Sequence, residues 1–259
     1  MTVAAMIAAF QSVCQTYADQ LCLLAMSSKT ESIFRDLLAL EAAKSYQGLP
    51  ARECKAAYIT PSARSVSRID LGIAPAPAPP SSDVSFVALV ELKNYYQFNL
   101  FHLMQQNGRP STQPERGHFA RFVADINKLK SAAAAERYFI VLWTATKSAS
   151  DAAKLCKYTD KEPEANRWAK ATPQPRHGGP FGMPHCCVTR TTQGLLPEAR
   201  VISCTRIATS ANPAKDTYID AILFQIGEGD SNQYLDIEIC EAENTCHLQV
   251  FASEVPTSF

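Results

Sequence analysis

Asp70, Glu91 and Lys93 are the residues of this chain whose types and spacing best suit catalysis. In an extended strand, residues i and i+2 face the same side, so Glu91 and Lys93 project together. If the strand that holds Asp70 pairs with theirs, the two carboxylates fall side by side. Two hard oxygen donors with a cation beside them suit Mg2+. Hydrolysis of a phosphodiester fits this assembly: the metal neutralises developing charge and lowers the pKa of a bound water, while the lysine positions or deprotonates that water. The acid-x-Lys tripeptide alone is weak, since it is expected about once by chance at this composition. A second copy, Glu53-Cys54-Lys55, follows Gly48-Leu49-Pro50. It has no apolar strand before it and no acid on an earlier neighbouring strand. Context therefore selects Glu91.

The elements that must hold these residues follow from periodicity. Apolar residues at spacings of three and four predict a helix over 2–26 and a second over about 31–46, with Thr30 as N-cap and Glu31 in its first turn. Residues 68–73 alternate as a strand and run into APAPAPPSS, a stiff connection that no central strand could contain. VSFVALVELK, 84–93, reads as a strand buried on both faces whose last residues carry the first charges. An amphipathic helix over 117–135 and a buried strand over 137–144 follow, giving the order ααββαβ and a mixed α/β sheet flanked by helices. Residues 148–185 read as a short helix and a long loop. Strands are expected at 200–208, 217–226, 234–241 and 246–252, with GEGDSN as a turn. The division is a core over 1–147 and a β-rich C-terminal extension over 148–259, packed on the core.

Composition limits the classes. The 259 residues are 46% hydrophobic and 19% charged, enough for one sizeable core or two small ones. No window approaches the roughly 18 apolar residues of a spanning helix. The apolar start MTVAAMIAAFQSV has no basic flank and no clean cleavage site, and it reads as a helix rather than a secretion signal. Nine cysteines without a CxxC pair fit a reducing compartment, so a cytoplasmic protein is expected. Formal charge is zero, but it is unevenly spread. Residues 93–147 hold eight basic residues against three acids, while 216–259 hold nine acids and no Lys or Arg. The middle suits a polyanion and the end would be repelled by one.

Residues 31–144 resemble the PD-(D/E)XK, or restriction-endonuclease-like, nuclease superfamily. The resemblance rests on a helix bearing Glu (TESIFRDLLALE), a strand ending near Asp70 (SRIDLGI), the strand with VELKN, the helix ARFVADINKLK and the strand RYFIVLWT. It implies a restriction-endonuclease-like core in which Asp70 and Glu91 bind Mg2+, with Mn2+ as a substitute, and Lys93 assists the attacking water. The helix glutamate would fall on Glu31, with Glu41 as second choice. Ile69 stands where the superfamily often has Pro. The implied function is a Mg2+-dependent endonuclease acting on DNA; a compact chain with a segment beyond its core suits a type II-like restriction enzyme, and cutting both strands of a symmetric site calls for a homodimer. The same site would serve a repair, phage or defence nuclease, and the fold could also persist as a DNA- or protein-binding module without turnover.

Asn94, Tyr95, Arg109, Arg116 and Arg121 supply amide, aromatic and basic groups just after the site, a composition suited to phosphates and base edges. His177, His185, Cys186 and Cys187 hold metal-binding atom types, although adjacent cysteines rarely chelate one zinc. Asp220, Asp236 and Glu238 repeat the acidic part of the motif without a lysine and read as a solvent-facing acidic hairpin.

Overall fold

A computed structural model of the chain describes residues 3–26, 30–46, 48–55, 68–75, 86–97, 100, 114–147, 182–212 and 214–227. They form a three-layer α/β structure around a six-stranded mixed sheet. The helices are α1 (Val3–Thr16), α2 (Ala18–Ala25), α3 (Thr30–Tyr46), α4 (Pro114–Ser131) and α5 (His185–Leu195). The strands are β1 (Leu49–Lys55), β2 (Arg68–Ala74), β3 (Phe86–Tyr96), β4 (Ala134–Thr146), β5 (Ala199–Ala208) and β6 (Thr217–Ile226). Their order in the sheet is β1-β2-β3-β4-β6-β5. Among the described strands only β3 and β4 pair in parallel, with α4 lying in the crossover between them. Such a pair needs a crossover of about a dozen residues or more, which a helix supplies. Strands β5 and β6 continue the same sheet through the β4–β6 pairing.

Alternation along the central strands divides the core in two. Ala88, Val90 and Leu92 of β3, with Tyr138, Ile140 and Leu142 of β4, pack under α1–α3. Leu89 and Tyr95, with Phe139, Val141 and Trp143, pack with Phe122, Ile126 and Leu129 of α4 and Val188 of α5. Burying one such side chain contributes about 1.5–3 kcal/mol, so both faces hold the sheet in place. At Gly72 of β2 an added Cβ would lie 2.5 Å from the Phe86 ring and 2.7 Å from Cys54 Sγ, so glycine is what lets β1, β2 and β3 close together on that face.

Several elements differ from the sequence reading. The first helix is two, because Tyr17 at φ −113°, ψ 22° interrupts the run, while Tyr17 N–H still reaches Val13 O and Leu21 N–H reaches Tyr17 O. LPARECK, which looks unlike a strand, is β1; as an edge strand it tolerates Pro50. Strand β3 runs three residues past Lys93, since Asn94 finds partners within the fold and pairing with β4 holds through Tyr96. Helix α5 is hidden in sequence by its threonines. In the structure Thr189 and Thr192 hydroxyls donate to the carbonyls four residues earlier, which lets polar residues sit on a buried helix face. The expected short helix and loop over most of 148–185, and the strands and turn expected beyond 227, lie outside the described residues. No helix among the described residues is long and apolar enough to cross a membrane.

Burial also decides thiol behaviour. It raises the Cys14 thiol, pushes Cys22 up to about 12 with help from nearby Asp19, and pushes Cys54 up to about 11. Nucleophilic sulfur is thiolate, so these three should resist alkylation. Iodoacetamide labelling at pH 8, followed by mass spectrometry, should modify half-buried Cys186 and Cys187 ahead of the other described cysteines and leave Cys14, Cys22 and Cys54 unlabelled until urea unfolds the chain. Early labelling of these three would contradict their burial.

Candidate active site

Strands β2 and β3 pair antiparallel with Leu71 opposite Val90, so one further step along the register sets Asp70 opposite Glu91. Opposite residues share a face, and the side chains interlock. The Asp70 N–H approaches Glu91 Oε2 at 3.4 Å, and the Leu92 N–H donates to Asp70 Oδ2 at 2.8 Å. Lys93 Nζ lies 3.2 Å from Glu91 Oε1. The three residues singled out by type and spacing are therefore together on the α4 side of the sheet.

Glu31 joins them from α3. Its Oε2 accepts the Asn94 N–H at 3.1 Å. Amides of residues i and i+2 point to the same side of a strand, so Asp70 and Glu31 cap successive β3 amides, about 7 Å apart along the strand. Its first-turn position also places its charge at the favourable end of the helix. Glu41 is elsewhere: it accepts from Ser12 and Lys44 and ties α3 to α1.

Helix α4 adds two residues that sequence reasoning missed. Seated on the sheet by Phe122, Ile126 and Leu129, α4 carries Asp125 and Lys128 over β3. Lys128 Nζ lies 2.7 Å from Glu91 Oε1 and 3.3 Å from Asp125 Oδ1, and it donates to Arg68 O at 3.0 Å. Lys93 Nζ also reaches Asp125 Oδ2 at 3.1 Å. Two ammonium groups thus bridge the same two carboxylates. The signal was present in DINKLK: Asp125 and Lys128 are three apart, neighbours on a helix surface next to its apolar stripe.

The electrostatics are those of a cluster withdrawn from water. Glu91, whose side chain is 4% exposed, is pushed up to about 7 by burial and by the Asp70 charge, while the two lysines pull the other way. For Lys93, burial opposes the charge, but Glu91 and Asp125 outweigh it and hold the ammonium above its usual range. It keeps its proton.

The expected nucleic-acid contacts are divided. Arg121 is exposed on α4; Arg109 and the side chain of Arg116 lie outside the described residues. Tyr95 is not at the surface: it is buried, its ring 4.9 Å from that of Phe122 and 5.9 Å from that of Trp143. Asn94 is engaged inside the fold, donating from Nδ2 to Thr30 Oγ1 and accepting at Oδ1 from Thr144. The second acid-x-Lys tripeptide contributes no carboxylate to the cluster, since Glu53 is exposed and pairs with Arg35 and Arg68.

Asp220 is a correction. It does not face solvent but is fully buried in β6, opposite Trp143. Arg206 grips both its oxygens, Nε to Oδ1 at 2.8 Å and Nη2 to Oδ2 at 2.9 Å, and stacks 4.2 Å over the Tyr218 ring. His185 Nδ1 lies 2.8 Å from Oδ1, and Gln97 Nε2 donates to Oδ2 at 3.1 Å. His185 Nδ1 is thus engaged by the ion pair. Its buried Nε2 has no hydrogen-bond partner among the described residues. His177, Asp236 and Glu238 lie outside the described residues.

Mg2+ asks for one or two carboxylates and fills its other positions with water and substrate oxygens. Among the described residues no three His, Cys, Asp or Glu form a metal cage, but the hard, crowded pair Asp70 and Glu91 meets this smaller requirement. The chain matches no protein-family model, no curated protein and no solved structure.

Proposed function

We propose that the chain is a Mg2+-dependent endonuclease that hydrolyses phosphodiester bonds in DNA, with a restriction-endonuclease-like core. The observation that supports this most is the placement of Asp70 and Glu91 opposite each other on neighbouring strands, with Lys93 against Glu91 on the same face. Asp70 and Glu91 would hold Mg2+, or Mn2+ in its place, and Glu31 would support the site from α3. A bound divalent ion supplies Lewis-acid stabilisation of charge developing on phosphate oxygens.

The chain's own residues do the rest. Lys93, held protonated by Glu91 and Asp125, acts as a fixed cation that orients the attacking water and the phosphate rather than as a base. Arg121, exposed on α4, is placed for backbone phosphates, in keeping with the basic balance of residues 93–147. Cutting both strands of a symmetric DNA site needs two such centres, so the working form in this reading is a homodimer in the cytoplasm.

Supercoiled and linear DNA incubated with the protein in Mg2+ test the reading. Wild type should nick and linearise plasmid, and Lys93→Ala should be slower by about 10²-fold, the usual cost of losing one preorganised electrostatic group. Equal cleavage by both proteins would sink the assignment. Sequencing the product ends then separates roles: one shared short palindrome supports restriction, and scattered ends reject it.

A further inference from the structure

We propose that Lys128 is the internal counter-ion of the carboxylate site: its ammonium holds Glu91 while no divalent cation is bound and passes to Asp125 when Glu91 is given over to the metal. This deepens the reading above and rests on it.

Geometry carries the inference. An ammonium has three protons, and Lys128 places them on Glu91 Oε1, Asp125 Oδ1 and the Arg68 carbonyl at 2.7, 3.3 and 3.0 Å. Three oxygens from three elements thus surround one cationic head. Lys93 meets the same Glu91 oxygen at 3.2 Å, so Oε1 receives two ammonium groups at once. An inner-sphere metal needs those lone pairs. Of the two lysines, Lys128 is the closer to Oε1 and is the one that yields in this proposal. Its retreat is prepared, because Asp125 stands three residues earlier on the same helix and already touches it. Only the side chain need turn, and the ammonium stays paired throughout.

Charge counting gives opposite signs for two variants. With all five groups ionised, Asp70, Glu91 and Asp125 against Lys93 and Lys128 leave a net charge of −1. Lys128→Met makes it −2 and leaves Glu91 Oε1 with Lys93 alone. Asp125→Asn makes it zero and leaves both lysines leaning on Glu91. Such short-range charge changes alter cation affinity by about tenfold or more even at a high effective dielectric.

The test is calorimetric titration of Mn2+ into the full chain at fixed pH and salt, checked by Mn2+ electron paramagnetic resonance, with Asp70→Asn as the site control. Lys128→Met should bind Mn2+ about tenfold tighter than wild type and Asp125→Asn about tenfold weaker. Lys128→Gln repeats the first measurement with a polar side chain should Lys128→Met fail to fold. Unchanged or weaker binding in the Lys128 variants, or tighter binding in Asp125→Asn, would overturn the proposal. If wild type binds Mn2+ in an Asp70-dependent way and the Lys128 variants merely match it, this proposal alone fails. If none of the proteins binds Mn2+, the metal-site reading fails with it.

Discussion

Asp220→Ala should cost about 3–5 kcal/mol of folding stability, a large share of what a domain of ordinary stability has to lose. The substitution strips Arg206, whose side chain is 17% exposed, of both its carboxylate bonds and leaves its charge buried against Tyr218 without a counter-ion. His185 and Gln97 lose a partner as well. Urea unfolding should show a much lower midpoint, and a loss below about 1 kcal/mol would mean that the pair is not buried as described. The same carboxylate makes stability depend on acid. Burial alone would raise the Asp220 pKa, but hydrogen bonds from His185 and Arg206, with the Arg206 charge, hold it below the ordinary carboxylate value. A group depressed in the folded state contributes fully above its unfolded pKa of about 3.9, and that contribution fades as pH falls through the lower folded value. In Asp220→Asn this part of the acid slope should vanish.

Asp70→Asn should reduce Mg2+-dependent plasmid cleavage by about 10²–10³-fold while leaving the free energy of urea unfolding within about 1 kcal/mol of wild type. The amide oxygen of Asn can still accept the Leu92 N–H, so the β2–β3 junction survives. What disappears is the negative charge that crowds Glu91 and that a divalent cation would neutralise. Initial rates of supercoiled DNA nicking check this. A variant within threefold of wild type would remove Asp70 from the metal site.

The central strands and the Asp70–Glu91–Lys93 arrangement were legible because they depend on local rules. Alternation sets which residues share a face, and an uninterrupted apolar run marks a strand covered on both sides. Glu31 was legible only through resemblance, since no local rule brings the start of α3 to the end of β3. Lys128 and Asp125 were not singled out because their role depends on how α4 crosses the sheet, which the side-chain pattern of α4 alone does not specify. Asp220 was misread for an instructive reason. Counting it among the acids of residues 216–259 made it a surface charge, whereas TYIDAILFQI is apolar on both sides of it. A lone acid in such a strand must find a buried cation, and the cation, Arg206, sits directly opposite on β5. Edge strand β1 and helix α5 escaped because tertiary cover, rather than propensity, holds them.

The way α1 and α2 close over the far edge of the sheet sets an order on synthesis. Cys22 Sγ contacts the Ile207 carbonyl across 185 positions of sequence, and Asp19 receives the Thr209 hydroxyl. At about 5–20 residues per second, a ribosome needs roughly 10–40 s to make that interval. Throughout it the apolar sides of both helices, with Met6, Phe10 and Leu21, wait without strands β5 and β6 that complete their cover. The nascent chain is therefore exposed to chaperones and to aggregation until its last described hairpin emerges, and the carboxylate centre, built from residues 31–128, is synthesised long before the two strands that complete its sheet.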